Sequence, residues 1–131
     1  MALKNNTWKL NQWYDQNVAG NISYSGAPQL WAWGSNTYGY LAQNNRTNYS
    51  SPVQISGTTW DICQNSGRGS TKALKTDGTL WAWGHNDDGQ LGLNNKTNYS
   101  SPTQVPGTSW YLDGIYSSSH NDSYTFAKRR V

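Results

Sequence analysis

Charge, aliphatic bulk and cysteine are all scarce in this chain of 131 residues. Leu, Ile, Val and Phe number nine, four, four and one, a share below the threshold under which disorder is usually suspected. Seven acidic residues and two histidines leave few of the convergent ionisable groups that catalysis requires. Cys63 is the single cysteine, which rules out a disulfide within the chain and fits synthesis in a reducing compartment. No apolar run approaches the roughly 20 residues that span a bilayer. The opening stretch, "MALKNNTWKLNQWYDQ", has no hydrophobic region of the signal-peptide kind. The expectation is therefore a protein with no membrane partner, made in the cytoplasm and not exported by a signal peptide.

Aromatic side chains fill the gap. Eight Trp and nine Tyr bring large buried areas per residue, and a net charge of +3 is too small for a charge-driven disordered chain. Thirteen Gly, with abundant Asn, Ser and Thr, favour turns and strands, because these polar side chains compete with helical backbone bonding. The fold class expected is all-β with an aromatic core.

"LWAWG" occurs at Leu30–Gly34 and again at Leu80–Gly84, an interval of 50 residues. Around it, residues 30–60 and 80–110 align without a gap and are identical at 20 of 31 positions. A period near 50 belongs to repeat architectures in which one unit cannot bury its apolar faces alone. Two units, 30–79 and 80–128, therefore follow an N-terminal segment, 1–29, that does not fit the repeat. In the second unit "STKALK" (Ser70–Lys75) and "TLWAW" (Thr79–Trp83) flank Thr76, Asp77 and Gly78, and Asp-Gly predicts a tight hairpin. Trp81 and Trp83 then share one face of the second strand, with Leu80 and Ala82 on the other, which predicts a strand buried on both sides. "NNKTNYSSP" reads as a polar loop, and "TQVPGTSW" as the next extended segment, ending on Trp110.

The stretch "ALKTDGTLWAWGHNDDGQLG" (Ala73–Gly92), followed by "SSPTQV" (Ser100–Val105), resembles the regulator of chromosome condensation repeat. The first unit departs from that pattern at Tyr40 and Ala42, and "SGAPQ" (Ser25–Gln29) stands where an Asp-Gly turn is expected. The resemblance implies β-propeller blades, about two four-stranded blades per chain. Propellers have about 4 to 8 blades, so two cannot close a ring, and an open pair leaves sheet edges exposed. "SYTFAK" (Ser123–Lys128) resembles "STKALK" at an offset of 53, which predicts the first strand of a third hairpin whose partner would begin at residue 130. The expectation is closure by homo-oligomerisation, with a trimer preferred and a tetramer second. Ser123, Tyr124 and Phe126 of one copy would then meet Leu30, Trp31 and Trp33 of the next. "NISYS" (Asn21–Ser25) is a local competitor for the same edge.

Chemistry is sparsely signalled. His85 and His120 have no carboxylate or cysteine partners at metal-ligand spacing and read as turn residues, as does "NDDG" (Asn86–Gly89). "SGRGST" (Ser66–Thr71) lacks the phosphate-loop pattern and reads as a blade loop. Lys72, Lys75, Lys128, Arg129 and Arg130 are too few for a committed nucleic-acid surface. No cofactor, metal or catalytic group is expected. Trp8, Trp13 and Tyr14 would pack beneath the first blade or form an arm that docks on a partner. This opening, joined to such repeats, also resembles short structural proteins of marine bacteriophages. That likeness implies a non-enzymatic virion component, in capsid decoration, tail or fibre, contacting other virion proteins. The alternative is a propeller module that binds surface glycans or a host surface protein through exposed Trp and Tyr.

Overall fold

The computed structural model describes residues 27–66, 68–111, 124, 125 and 127–130. Trp8, Trp13, Tyr14, His120, Ser123 and Phe126, and the "NISYS" stretch, lie outside the described residues. Eight strands run in order: β1 (Trp31–Gly34), β2 (Tyr49–Gln54), β3 (Trp60–Ser66), β4 (Ser70–Lys75), β5 (Leu80–Gly84), β6 (Tyr99–Gln104), β7 (Trp110–Tyr111) and β8 (Lys128–Arg129). They form an antiparallel two-stranded sheet β1-β2, a four-stranded meander β3-β4-β5-β6 and a second two-stranded sheet β7-β8. The described residues are all-β, as expected from the composition, but the core is not mainly aromatic: of its eleven buried hydrophobic residues only Trp60 and Trp83 carry rings.

The hairpin at Asp77-Gly78 forms where the sequence places it. The Lys75 N–H donates to the Thr79 carbonyl and the Gly78 N–H to the Lys75 carbonyl, each at 3.0 Å. Gly78 takes the left-handed conformation, φ 84°, that a side chain would resist. Asp77 Oδ1 accepts from the Thr79 hydroxyl and N–H at 2.6 and 2.9 Å, and these bonds hold its carboxyl below the usual carboxylate range. Across the hairpin Ala73 faces Trp81 and Thr71 faces Trp83.

Two apolar clusters clothe the meander. Ala73 and Trp83 pack with Ala42, Ile55 and Trp60, and with Leu30 and Ala32 of the preceding unit. Leu74, Leu80 and Ala82 pack with Leu91 and Val105, and with Trp110 and Ala127 of the following one. Successive side chains on a strand point to opposite faces, so the pentapeptide of β5 contributes to both clusters and is buried on both sides.

Each unit is held at its turn by a fully buried asparagine. Asn86 Oδ1 accepts the Leu91 N–H at 2.9 Å, while its Nδ2 donates to the carbonyls of Asn95 and Thr97 at 3.0 and 2.9 Å. Its own N–H donates to Asn98 Oδ1 at 2.6 Å. Asn36 repeats the pattern with Leu41, Asn45 and Asn48. One amide thus ties together a loop whose residues are mostly polar.

Two sequence expectations are corrected. Tyr99–Pro102, read as loop, begins β6, and the matching Tyr49–Pro52 begins β2. Pro is tolerated there because each strand has a partner on one side only among the described residues, so no ladder bond needs its missing N–H. The C-terminal strand also pairs one residue later than the aligned text suggests. Trp60 faces Lys75, and Trp110 faces Arg129, not Lys128. The Thr76 N–H donates to the Thr59 carbonyl as the Arg130 N–H does to Ser109, both at 2.9 Å. The register offset is therefore 54, and a one-residue slip sends every side chain to the opposite face.

Replacing Asn86 with Ala orphans the Leu91 N–H and the Asn95 and Thr97 carbonyls. We expect a loss of about 2–4 kcal/mol in denaturant unfolding, while an exposed control such as Lys96→Ala stays within about 0.5 kcal/mol.

Candidate subunit interface

The two half-sheets are the feature that the meander explains. In β5 the pentapeptide is paired on both edges, and Trp83 is completely buried. Among the described residues β1 pairs only with β2, and Trp31 and Trp33 are 48% and 60% exposed. Identical sequence therefore meets different environments among the described residues, where β5 has two strand neighbours and β1 has one. β8 occupies the place of β4 against β7 and, among the described residues, has no counterpart of β5 beside it.

A cleft of about 380 Å³ opens along β1, between that strand and the β3–β4 hairpin. Leu30, Trp31 and Trp33 line it together with Tyr40, Ile55 and Trp83. Tyr124, 56% exposed, instead borders a second cleft of about 600 Å³ with Lys72, Gln90, Trp110 and Thr125. The structure thus brings Leu30, Trp31 and Trp33 together but places Tyr124 in a different cleft of the same chain.

Neighbouring units are joined by few but specific polar contacts. Trp83 Nε1 donates to the Tyr40 carbonyl at 2.8 Å, and the Thr125 hydroxyl donates to the Gln90 carbonyl at 2.8 Å. The Asn44 N–H donates to the Ser100 carbonyl at 2.7 Å, where Gly39 lies so close that a Cβ would stand 2.5 Å from Ser100 Cα. Gly69 faces the ring of Tyr40 with no room for a side chain.

Cations stack on indoles at the sheet ends. Lys75 Nζ lies 4.7 Å from the centroid of Trp60 and 4.5 Å from that of Trp81, held between the two rings. Arg129 lies 5.8 Å from Trp110. The indole N–H groups of Trp60 and Trp110 are buried and find no acceptor among the described residues.

His85 is occupied within its own turn. The Gln90 amide oxygen accepts the Asp88 N–H, so its nitrogen donates to His85 Nδ1 at 2.9 Å, which leaves Nε2–H to donate to Asp87 at 3.0 Å. The ring also meets Tyr38 edge-on, with centroids 4.7 Å apart. Lys72 is buried, with Nζ donating to Ser70 Oγ at 2.7 Å, and desolvation lowers its pKa to about 8. Burial pushes the Cys63 thiol up to about 11, although part of the residue reaches solvent, because the cysteine lines the β1 cleft. Among the described residues no group of three His, Cys, Asp or Glu could hold a metal ion.

Sequence reasoning overlooked the buried pair Asn36 and Asn86, and the roles of Asn45, Asn48, Asn95 and Asn98. Their recurrence at an interval of 50 was the available signal.

Antiparallel sheets repeating every 50 residues, with apolar clusters between them, define a protein of stacked β-blades. A family model, the regulator of chromosome condensation (RCC1) repeat, matches residues 29–64 and 77–111, just over half of the chain. The chain belongs to that family. The crystal structure of human WBSCR16 aligns with a TM-score of 0.48 and 24% identity, over 65% of this chain and 22% of that one. The chain spans about a fifth of the length of that protein. No curated protein matches the sequence.

Lys72 provides a pH test. Between about pH 8 and 10.5 the unfolded chain holds the lysine proton that the folded chain has shed, so this group makes stability rise with pH across that window. Cys63 acts in the opposite sense between its ordinary 9.0 and about 11. Lys72→Met should therefore be more stable than the parent at pH 7, by roughly 1–3 kcal/mol, with the advantage shrinking by pH 10. Denaturant midpoints of both proteins from pH 7 to 10 measure it.

Proposed function

We propose that the chain is a non-enzymatic structural protein whose copies share blades to form a β-propeller scaffold. The edges of β1 and β8 that have no partner among the described residues support this reading: a β1-β2 half and a β7-β8 half together hold the four strands of one β3-to-β6 meander. With one whole blade and two halves per chain, three copies give six blades, within the usual range of about 4 to 8. The occupied hydrogen-bonding capacity of His85 fits a scaffold, since neither ring nitrogen is left to act on a substrate.

The place proposed for the scaffold is a bacteriophage virion, as a decoration, tail or fibre component, with residues 1–29 contacting other virion proteins. This rests on the resemblance of the N-terminal segment and the repeats to phage structural proteins. A second reading, a glycan-binding module, is favoured by the exposed rings of Trp31 and Trp33, which could stack on sugar faces.

Native mass spectrometry of the purified chain should give a trimer of about 44 kDa, three times 14.7 kDa. A chain that remains monomeric at micromolar concentration counts against blade sharing. Peptides of the chain in purified particles support the virion placement, and their absence overturns it. Glycan binding by the monomer, lost in Trp33→Ala, would favour the second reading.

A further inference from the structure

The β3–β6 meander is a template for what should lie against β8. Carrying its register over by the offsets of the two half-sheets sets Ala127 opposite Trp31, Lys128 opposite Leu30 and Thr125 opposite Trp33. Arg129 takes the place of Lys75, and Trp31 that of Trp81. Within the chain, Lys75 is held between Trp60 and Trp81, whereas Arg129 stacks on Trp110 and Trp31 is half exposed at the far edge. Guanidinium groups stack well on indole faces, so the matched strand edges also bring a cation to an aromatic face.

We infer that Arg129 is the determinant of subunit association: it is clamped between its own Trp110 and Trp31 of a second copy, whose β1 extends the β7-β8 sheet. This rests on the shared-blade reading and adds its register and its key side chain.

An independent contact agrees. The Asn44 N–H reaches the Ser100 carbonyl of the next blade. Asn94 is the equivalent of Asn44, with the same φ of 59°, and Ser50 is the equivalent of Ser100 in an identical "NYSSP". A second copy placed by the template brings its Ser50 carbonyl to the Asn94 N–H. It also brings that strand against Gly89, where a Cβ would now meet only the Asn95 carbonyl, at 3.9 Å.

The test is a double-mutant cycle on association of the full chain, measured by sedimentation equilibrium, with near-UV circular dichroism verifying the fold. Arg129→Ala and Trp31→Ala should each weaken assembly about tenfold, the double variant no further, and Arg129→Lys should retain most of it. Single effects that are absent or fully additive, in a parent that assembles, overturn the clamp and leave the scaffold standing. A parent that stays monomeric overturns both. Register is read separately, in a Cys63→Ser background carrying Leu30→Cys and Lys128→Cys. Disulfide-linked multimers on oxidation support the pairing. No crosslink in an assembling protein, or a bond within one chain, overturns it.

Discussion

A buried carboxamide is the constraint on which each unit depends. The loops from Asn36 to Asn48 and from Asn86 to Asn98 bury Leu41, Ala42 and Leu91, but most of their residues are polar, and hydrophobic burial orders only part of each. The amides of Asn36 and Asn86 take over that role, using donor and acceptor together on backbone groups 5 to 11 residues away. Such a network is stable only when fully satisfied, because an unpaired amide in the interior costs more than its bonds return. The loops it fixes then place Tyr40 and Gln90 where their carbonyls meet the next unit.

From this follows the contrast between β1 and β5. The two strands share the sequence Leu-Trp-Ala-Trp-Gly, yet one contributes the most deeply buried large side chain and the other two of the most exposed. Sequence sets what a strand can bury, and neighbours decide what it does bury. Two successive tryptophan positions on an edge unpaired among the described residues make an adhesive surface. The scaffold proposal gives that surface a defined occupant.

Much of this was legible in the residues. The period of 50, the Asp-Gly hairpin and the alternation in β5 each have one dominant physical cause, so local reading sufficed. It failed where two causes compete. Tyr99–Pro102 looks like loop by composition, but an edge strand tolerates polar residues and a proline. The register of β8 followed textual likeness between Ser70–Lys75 and Ser123–Lys128, whereas pairing is governed by the opposing strand, and Trp110 selects Arg129. The asparagine networks were hidden in plain composition, since an amide that holds a loop looks like any other polar residue until its partners are placed. The separate clefts of Trp31 and Tyr124 could not be foreseen, because they depend on how sheets stack.

Trp60 and Lys75 are 15 residues apart, whereas the paired Trp110 and Arg129 are separated by 19. In sequence, the second of these stretches is thus four residues longer than the first. A ring of such chains has the symmetry of its chains and not of its blades. In the three-copy ring proposed above, a partner reading that rim would find landmarks at alternate blades only and would dock in three equivalent orientations, not six.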